Sequence, residues 1–125
     1  MELRIGLVLA VSAEQTFIFD MTTNEEFEIA SPNNADISLQ LQIGPRDENW
    51  TETFFTRVVT PNNVPGGTSG MKIMRIHSFV FETLKKYLIT AVAACERETW
   101  NECLDELRSR FLWEWDTPNK KKNKT

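Results

Sequence analysis

The chain has 125 residues, 41% of them hydrophobic and 26% charged, and a formal net charge of −4. That length suits one domain around one core, and the composition is that of an ordinary soluble globular protein. No run approaches the roughly 20 apolar residues of a membrane helix, and Leu7 to Val11 is too short, and lacks the basic flank and small-residue cleavage site, for a secretory signal; a cytoplasmic protein with no membrane contact is expected.

Leu3 to Val11 is nearly all apolar and predicts a first strand, central in a sheet or covered on both faces, with Gly6 marking a bulge. Thr16 to Phe19 predicts a short second strand, and Met21 to Ala35, with its glutamates and the turn residues Ser31-Pro32-Asn33-Asn34, a surface excursion. The clearest pattern follows. Ile37, Leu39, Leu41 and Ile43 alternate with Ser38, Gln40 and Gln42, the period of two that marks a half-buried strand. Gly44-Pro45 is expected to break that run, because proline has no amide hydrogen for the ladder. Glu52 to Thr60 predicts an antiparallel partner strand, with Phe54, Thr56 and Val58 inward, Arg57 solvated and Phe55 partly exposed. The loop between them carries Arg46, Asp47, Glu48 and Trp50.

Pro61 to Gly70, with three glycines and two prolines, predicts a flexible loop; it lacks the Gly-Lys-Ser/Thr ending of a phosphate-binding loop. Met71 to Ser78 predicts another strand with Met74 and Ile76 on one face. Phe81, Leu84, Leu88, Ala91, Val92 and Cys95 recur at helical spacing and predict an amphipathic helix from about Phe79 to Cys95, with Lys85 and Lys86 on its solvent side. Thr99 and Glu102 form a capping box. The helix it opens turns Trp100, Cys103, Leu104, Leu107 and Phe111 inward and Asn101, Glu102, Asp105, Glu106 and Arg108 outward. Leu112 to Asp116 alternates again and predicts a last short strand, and Thr117 to Thr125 a disordered, lysine-rich tail. The fold class is thus α+β: a mostly antiparallel sheet of about five strands, two C-terminal helices on one face and a short final strand. Residues 1–116 form one domain.

Cys95 and Cys103 are the only cysteines, both on apolar helix stripes, and reduced core thiols are expected. One histidine and two cysteines at this spacing match no usual metal pattern, and the single His77 is expected to be a surface or edge residue rather than a catalyst. No catalytic, cofactor-binding or metal-ligating residue is assigned, and no enzyme is expected. Lys120, Lys121, Lys122 and Lys124 concentrate positive charge in the tail, so the rest is four units more negative than the whole. An acidic body disfavours nucleic acid and suits a basic partner; solubility alone is an equally simple reading of the charge.

Several pieces then fall into one order. A strand ends in Ile43-Gly44-Pro45, a second carries Phe54 and Val58 and ends in Thr60-Pro61, and a third runs through Phe79-Val80-Phe81 into a helix. Thr99-Trp100 opens the last helix, and Trp113-Glu114-Trp115-Asp116 follows it. This order resembles the immunity protein 8 family of bacterial polymorphic toxin systems, over about Ile37 to Asp116. Val80 stands where the family has an acidic helix cap, so Ser78 is the expected cap here.

The resemblance implies a cytoplasmic, non-catalytic inhibitor without cofactor. Its partner is a cognate toxin domain delivered by contact-dependent competition and basic if it is a nuclease. On that reading the candidate contacts are Asp47, Glu48, Trp50 and Glu52 on the hairpin, then Glu102, Asp105 and Glu106 on the last helix, with Glu114 and Asp116 beyond it. Trp100 and Trp113 are expected in the core. The alternative is a non-catalytic adaptor that takes an extended peptide at a sheet edge. Neither reading sets the oligomeric state.

Overall fold

The computed structural model describes residues 1–13, 15–23, 34–60 and 73–116. Residues 24–33 of the excursion expected over Met21 to Ala35, the glycine-rich loop Pro61 to Gly70 and the lysine-rich tail lie outside the described residues. The chain runs β1 (Leu3–Val11), β2 (Thr16–Phe19), β3 (Asp36–Pro45), β4 (Glu52–Val59), β5 (Ile73–Arg75), α1 (Phe81–Ala93), α2 (Trp100–Arg110), β6 (Leu112–Trp113) and a 3-10 turn, Glu114–Asp116. This is the expected α+β class. The sheet order is β2-β1-β3-β4-β5, with β6 also on β4.

The β3–β4 hairpin is antiparallel, with Leu41 opposite Phe54 and Leu39 opposite Thr56. Ile37, Leu39, Leu41, Ile43, Phe54, Thr56 and Val58 are buried, while Phe55 and Arg57 are only half-buried, as the alternation requires. β1 lies inside the sheet between β2 and β3. Its register slips between Ile5 and Val8, so one extra residue is accommodated at Gly6-Leu7, the bulge that Gly6 predicts. β1 is not covered on both faces: Leu7 and Val11 are exposed.

The mostly antiparallel α+β class stands, with several details corrected. Gly44-Pro45 does not end β3; both residues continue in register with Arg4 and Leu3 of β1. By then β4 has ended its pairing at Glu52 opposite Ile43, so Pro45 is at the strand's end, where a missing amide hydrogen costs little. β5 runs parallel to β4, Val58 opposite Met74, so the sheet is mixed. β5 and β6 share one edge of β4, because β6 pairs only with Phe54 and Phe55. The last strand is only two residues long: the chain turns into a 3-10 helix at Glu114, where Asp116 is drawn back to Arg108 of α2 at 2.8 Å.

Lys85 is a further correction. It is 7% exposed, not solvated. Its Nζ donates to the Thr23 carbonyl at 2.8 Å, pairs with Glu82 at 2.9 Å and lies 4.7 Å from the Phe81 ring centre. The aliphatic stem follows the apolar side of α1 while the head finds an acceptor on the β2–β3 connection, so burial leaves no charge unpaired.

Both helices place their buried side chains in one core with the inner sheet face: Leu84, Leu88 and Val92 from α1, Cys103 and Leu107 from α2. α2 starts with the predicted capping box, Thr99 accepting from the Glu102 amide and Glu102 from the Thr99 amide. α1 is different. Its N-cap is Val80, extended at φ −133° and ψ 123°, with no side-chain cap, so Ser78 does not serve. Val80 is 51% exposed, and nothing in the backbone forbids a polar residue there. Val80→Asp is expected to raise stability by about 1 kcal/mol, since a carboxylate would accept a free first-turn amide and meet the helix dipole. The check is urea denaturation, and an unchanged midpoint would refute it.

Candidate functional site

The candidate contacts come from three separated stretches, and tertiary structure brings most of them together. The hairpin loop stands beside the start of α2 because the Trp50 ring meets the Trp100 ring edge-on, centres 5.1 Å apart. Trp50 remains 39% exposed. The loop returns tightly on β3: a Cβ on Gly44 would lie 2.2 Å from the Trp50 carbonyl oxygen. Arg4 of β1 holds the loop from the other side, its Nε and Nη2 donating to the Glu48 carbonyl at 3.2 and 3.1 Å.

The opposite end of the surface is built on β6. Trp113 pairs with Phe54, and its indole Nε1 donates to Glu52 Oε1 at 3.1 Å. The Arg108 guanidinium lies over the Trp113 ring at 5.2 Å and holds Asp116 through two hydrogen bonds of 2.8 and 2.9 Å. That bidentate carboxylate raises the pKa of Arg108. Trp100 and Trp113 are half-buried against the core, so the expectation of core tryptophans holds for one side of each ring only. Sequence reading missed their second role, as the support of Trp50 and the fixed partner of Glu52. It also missed Arg108; only the fold shows that residue 116 comes back to residue 108.

The candidate acids divide into two groups. Glu52, Glu102, Glu106 and Asp116 have internal partners: Trp113, the α2 cap, Arg97 at 3.2 Å, and Arg108. Asp47, Glu48 and Glu114 use their carboxylates in none of the hydrogen bonds or ion pairs among the described residues, and Asp105 makes none either but acts on the Arg108 guanidinium through its charge. Asp47, Glu48 and Asp105 are exposed and Glu114 is half-exposed. The candidate residues thus comprise a fixed ring pair of Trp50 and Trp100, four acids held by internal partners and four whose carboxylates make no hydrogen bond or ion pair among the described residues.

Arg57 Nε donates to Asp36 Oδ1 at 2.7 Å on the outer sheet face, and this bond holds the Asp36 carboxyl below its ordinary pKa and raises that of Arg57. Cys95 and Cys103 are buried and free, as expected. Burial pushes the Cys95 thiol up, so it stays protonated and unreactive. Among the described residues no group of three or more His, Cys, Asp or Glu is placed to hold a metal, and no helix is long and apolar enough to cross a membrane.

These features define a class: an α+β domain whose most organised surface is a set of aromatic and acidic side chains held by the end of one hairpin and the last helix. The chain belongs to the immunity protein 8 family, whose model matches residues 15–117. The match extends the resemblance read from sequence back through β2. Comparison with curated proteins and comparison with solved structures each return no match. The family name is that of immunity proteins of toxin systems, a class that is generally non-catalytic and has a toxin as partner.

Proposed function

We propose that this chain binds a cognate bacterial toxin domain and neutralises it by covering its working surface, in the cytoplasm of the cell that makes the toxin. The observation that carries the reading is the split among the acids. Among the described residues the carboxylates of Asp47, Glu48 and Glu114 enter no hydrogen bond or ion pair, and Asp105 feels only the charge of Arg108, while Trp50 is held against Trp100. Unpaired surface carboxylates attract a basic partner over distance and speed encounter, and a preordered aromatic ring supplies apolar contact without further loss of side-chain freedom. Trp50 is the anchor in this scheme. Glu52 and Asp116 keep Trp113 and the last turn in place rather than touching the toxin.

The test is coexpression with the carboxy-terminal domain of the secreted polypeptide encoded next to this gene. The wild-type chain is expected to restore growth. Asp47→Lys combined with Glu48→Lys and Asp105→Lys is expected to weaken binding by about a hundredfold at unchanged melting temperature, because each reversal puts like charge against a basic partner. Association should also slow as salt rises. Equal cell death with and without the wild-type chain would refute immunity; full protection by the reversed variant would refute this surface alone.

A further inference from the structure

A second surface lies away from the tryptophan pair. Thr83, Lys86, Tyr87, Thr90, Ala91 and Ala94 recur along one stripe of α1 and its C-cap, at the three- and four-residue spacing that aligns side chains on a helix. Together with Arg110, at the end of α2, they line an open groove of about 500 Å³. The groove continues past Tyr87 and Arg110 toward Met74 of β5 and Phe111, in the space left where β5 and β6 divide the edge of β4. From Thr83 to Ala94 the helix rises about 16 Å at roughly 1.5 Å per residue. That is the length of roughly five residues of extended chain.

The charge of the groove is opposite to that of the molecule. Lys86 and Arg110 enter no ion pair among the described residues. The acids nearest to this stripe are occupied: Glu82 by Lys85 and Glu106 by Arg97. An acidic chain thus presents, in one largely apolar groove, two cations without an ion pair among the described residues. The chain's own tail carries Lys120, Lys121, Lys122 and Lys124, of the same sign as the groove, and is not complementary to it.

We infer that this groove is a second docking site, for an extended acidic peptide segment of a partner protein that carries an aliphatic or aromatic side chain between carboxylates. The carboxylates meet Lys86 and Arg110, and the apolar side chain lies on Tyr87 and Ala91. This goes beyond the toxin-neutralising reading, which uses the acidic surface and a basic partner.

The experiment is selection from a displayed random octapeptide library on three proteins: the wild-type chain, Lys86→Glu with Arg110→Glu, and Thr90→Glu. All three positions are solvent-exposed, so the fold should survive, and thermal melts check this. Peptides selected on the wild type are expected to be rich in aspartate and glutamate flanking an apolar residue. When resynthesised with a fluorescein label, they should bind each variant about tenfold or more weakly, as reversal of rim charges at a small interface implies. Three results would overturn the inference. One is selection without acidic enrichment or with equal binding to the variants. Another is concentration-dependent self-association of the wild type that the reversal abolishes, which would make the groove a contact between copies. The third is loss of toxin neutralisation in the Lys86→Glu, Arg110→Glu variant, which would merge the groove with the toxin surface. If instead neutralisation fails for the wild type while acidic peptides still bind the groove, the toxin reading falls and this inference stands.

Discussion

Gly44→Ala is expected to destabilise the protein by about 3 kcal/mol, the upper end of the usual cost of overpacking. For a chain of this size that lowers the melting temperature by on the order of 10 °C. The methyl group would meet the Trp50 carbonyl oxygen at 2.2 Å and the Thr51 Cα at 3.1 Å. Both are backbone atoms, so no rotamer change relieves the clash and the loop must move away from β3. Trp50 moves with it and loses its edge-on contact with Trp100. Circular dichroism gives two readouts: the far-ultraviolet melt for stability, and the near-ultraviolet band for the coupled indoles, expected to weaken even well below the melting temperature. A variant with wild-type values in both would show that the loop does not approach β3 so closely. Toxin binding should fall with the indole band, because the anchor and the acids Asp47 and Glu48 share that loop.

Phe54→Ala is expected to cost about 4 kcal/mol, in the range for deleting a fully buried phenylalanine. Against a total stability of roughly 5–15 kcal/mol this removes much of the margin. Phe54 is 0% exposed and sits at a junction: Leu41 of β3 is its partner on one side and Trp113 of β6 on the other. The cavity therefore opens in the middle of the sheet and under the strand that carries Trp113, so Glu52 loses a well-placed donor as well. Phe55→Ala supplies the comparison. Its ring is half-buried on the outer face, opposite Gln40 and Leu112, and its removal should cost about 1 kcal/mol or less, as surface changes usually do. Urea denaturation of the two variants measures the difference. Equal losses would mean that the two faces of β4 have been exchanged.

That comparison shows how far local pattern reached. The second hairpin strand has bulky residues on both faces, yet one charged residue, Arg57, was enough to orient it, because a guanidinium on the inner face would have had no partner. Arg57 instead reaches Asp36 across the hairpin on the outer face. The bulge at Gly6, the capping box at Thr99 and the two buried thiols were legible for a similar reason: each depends on residue type and near spacing. Lys85 was misread by the same logic, since its spacing on α1 is polar and its acceptor, the Thr23 carbonyl, lies 62 residues away in sequence.

For this protein, then, period and capping chemistry by themselves determined where strands and helices lie, which side of each is apolar, and that the class is α+β. Those features follow from interactions among neighbours a few residues apart. Tertiary structure alone decided that β5 runs parallel to β4, that β3 continues through Gly44-Pro45, that Trp50 leans on Trp100, and which acids are used internally. The reason is distance along the chain. A hydrogen bond from Trp113 to Glu52 or a ring contact from residue 50 to residue 100 leaves no periodic trace in the sequence, and it exists only after the sheet has set which edges meet.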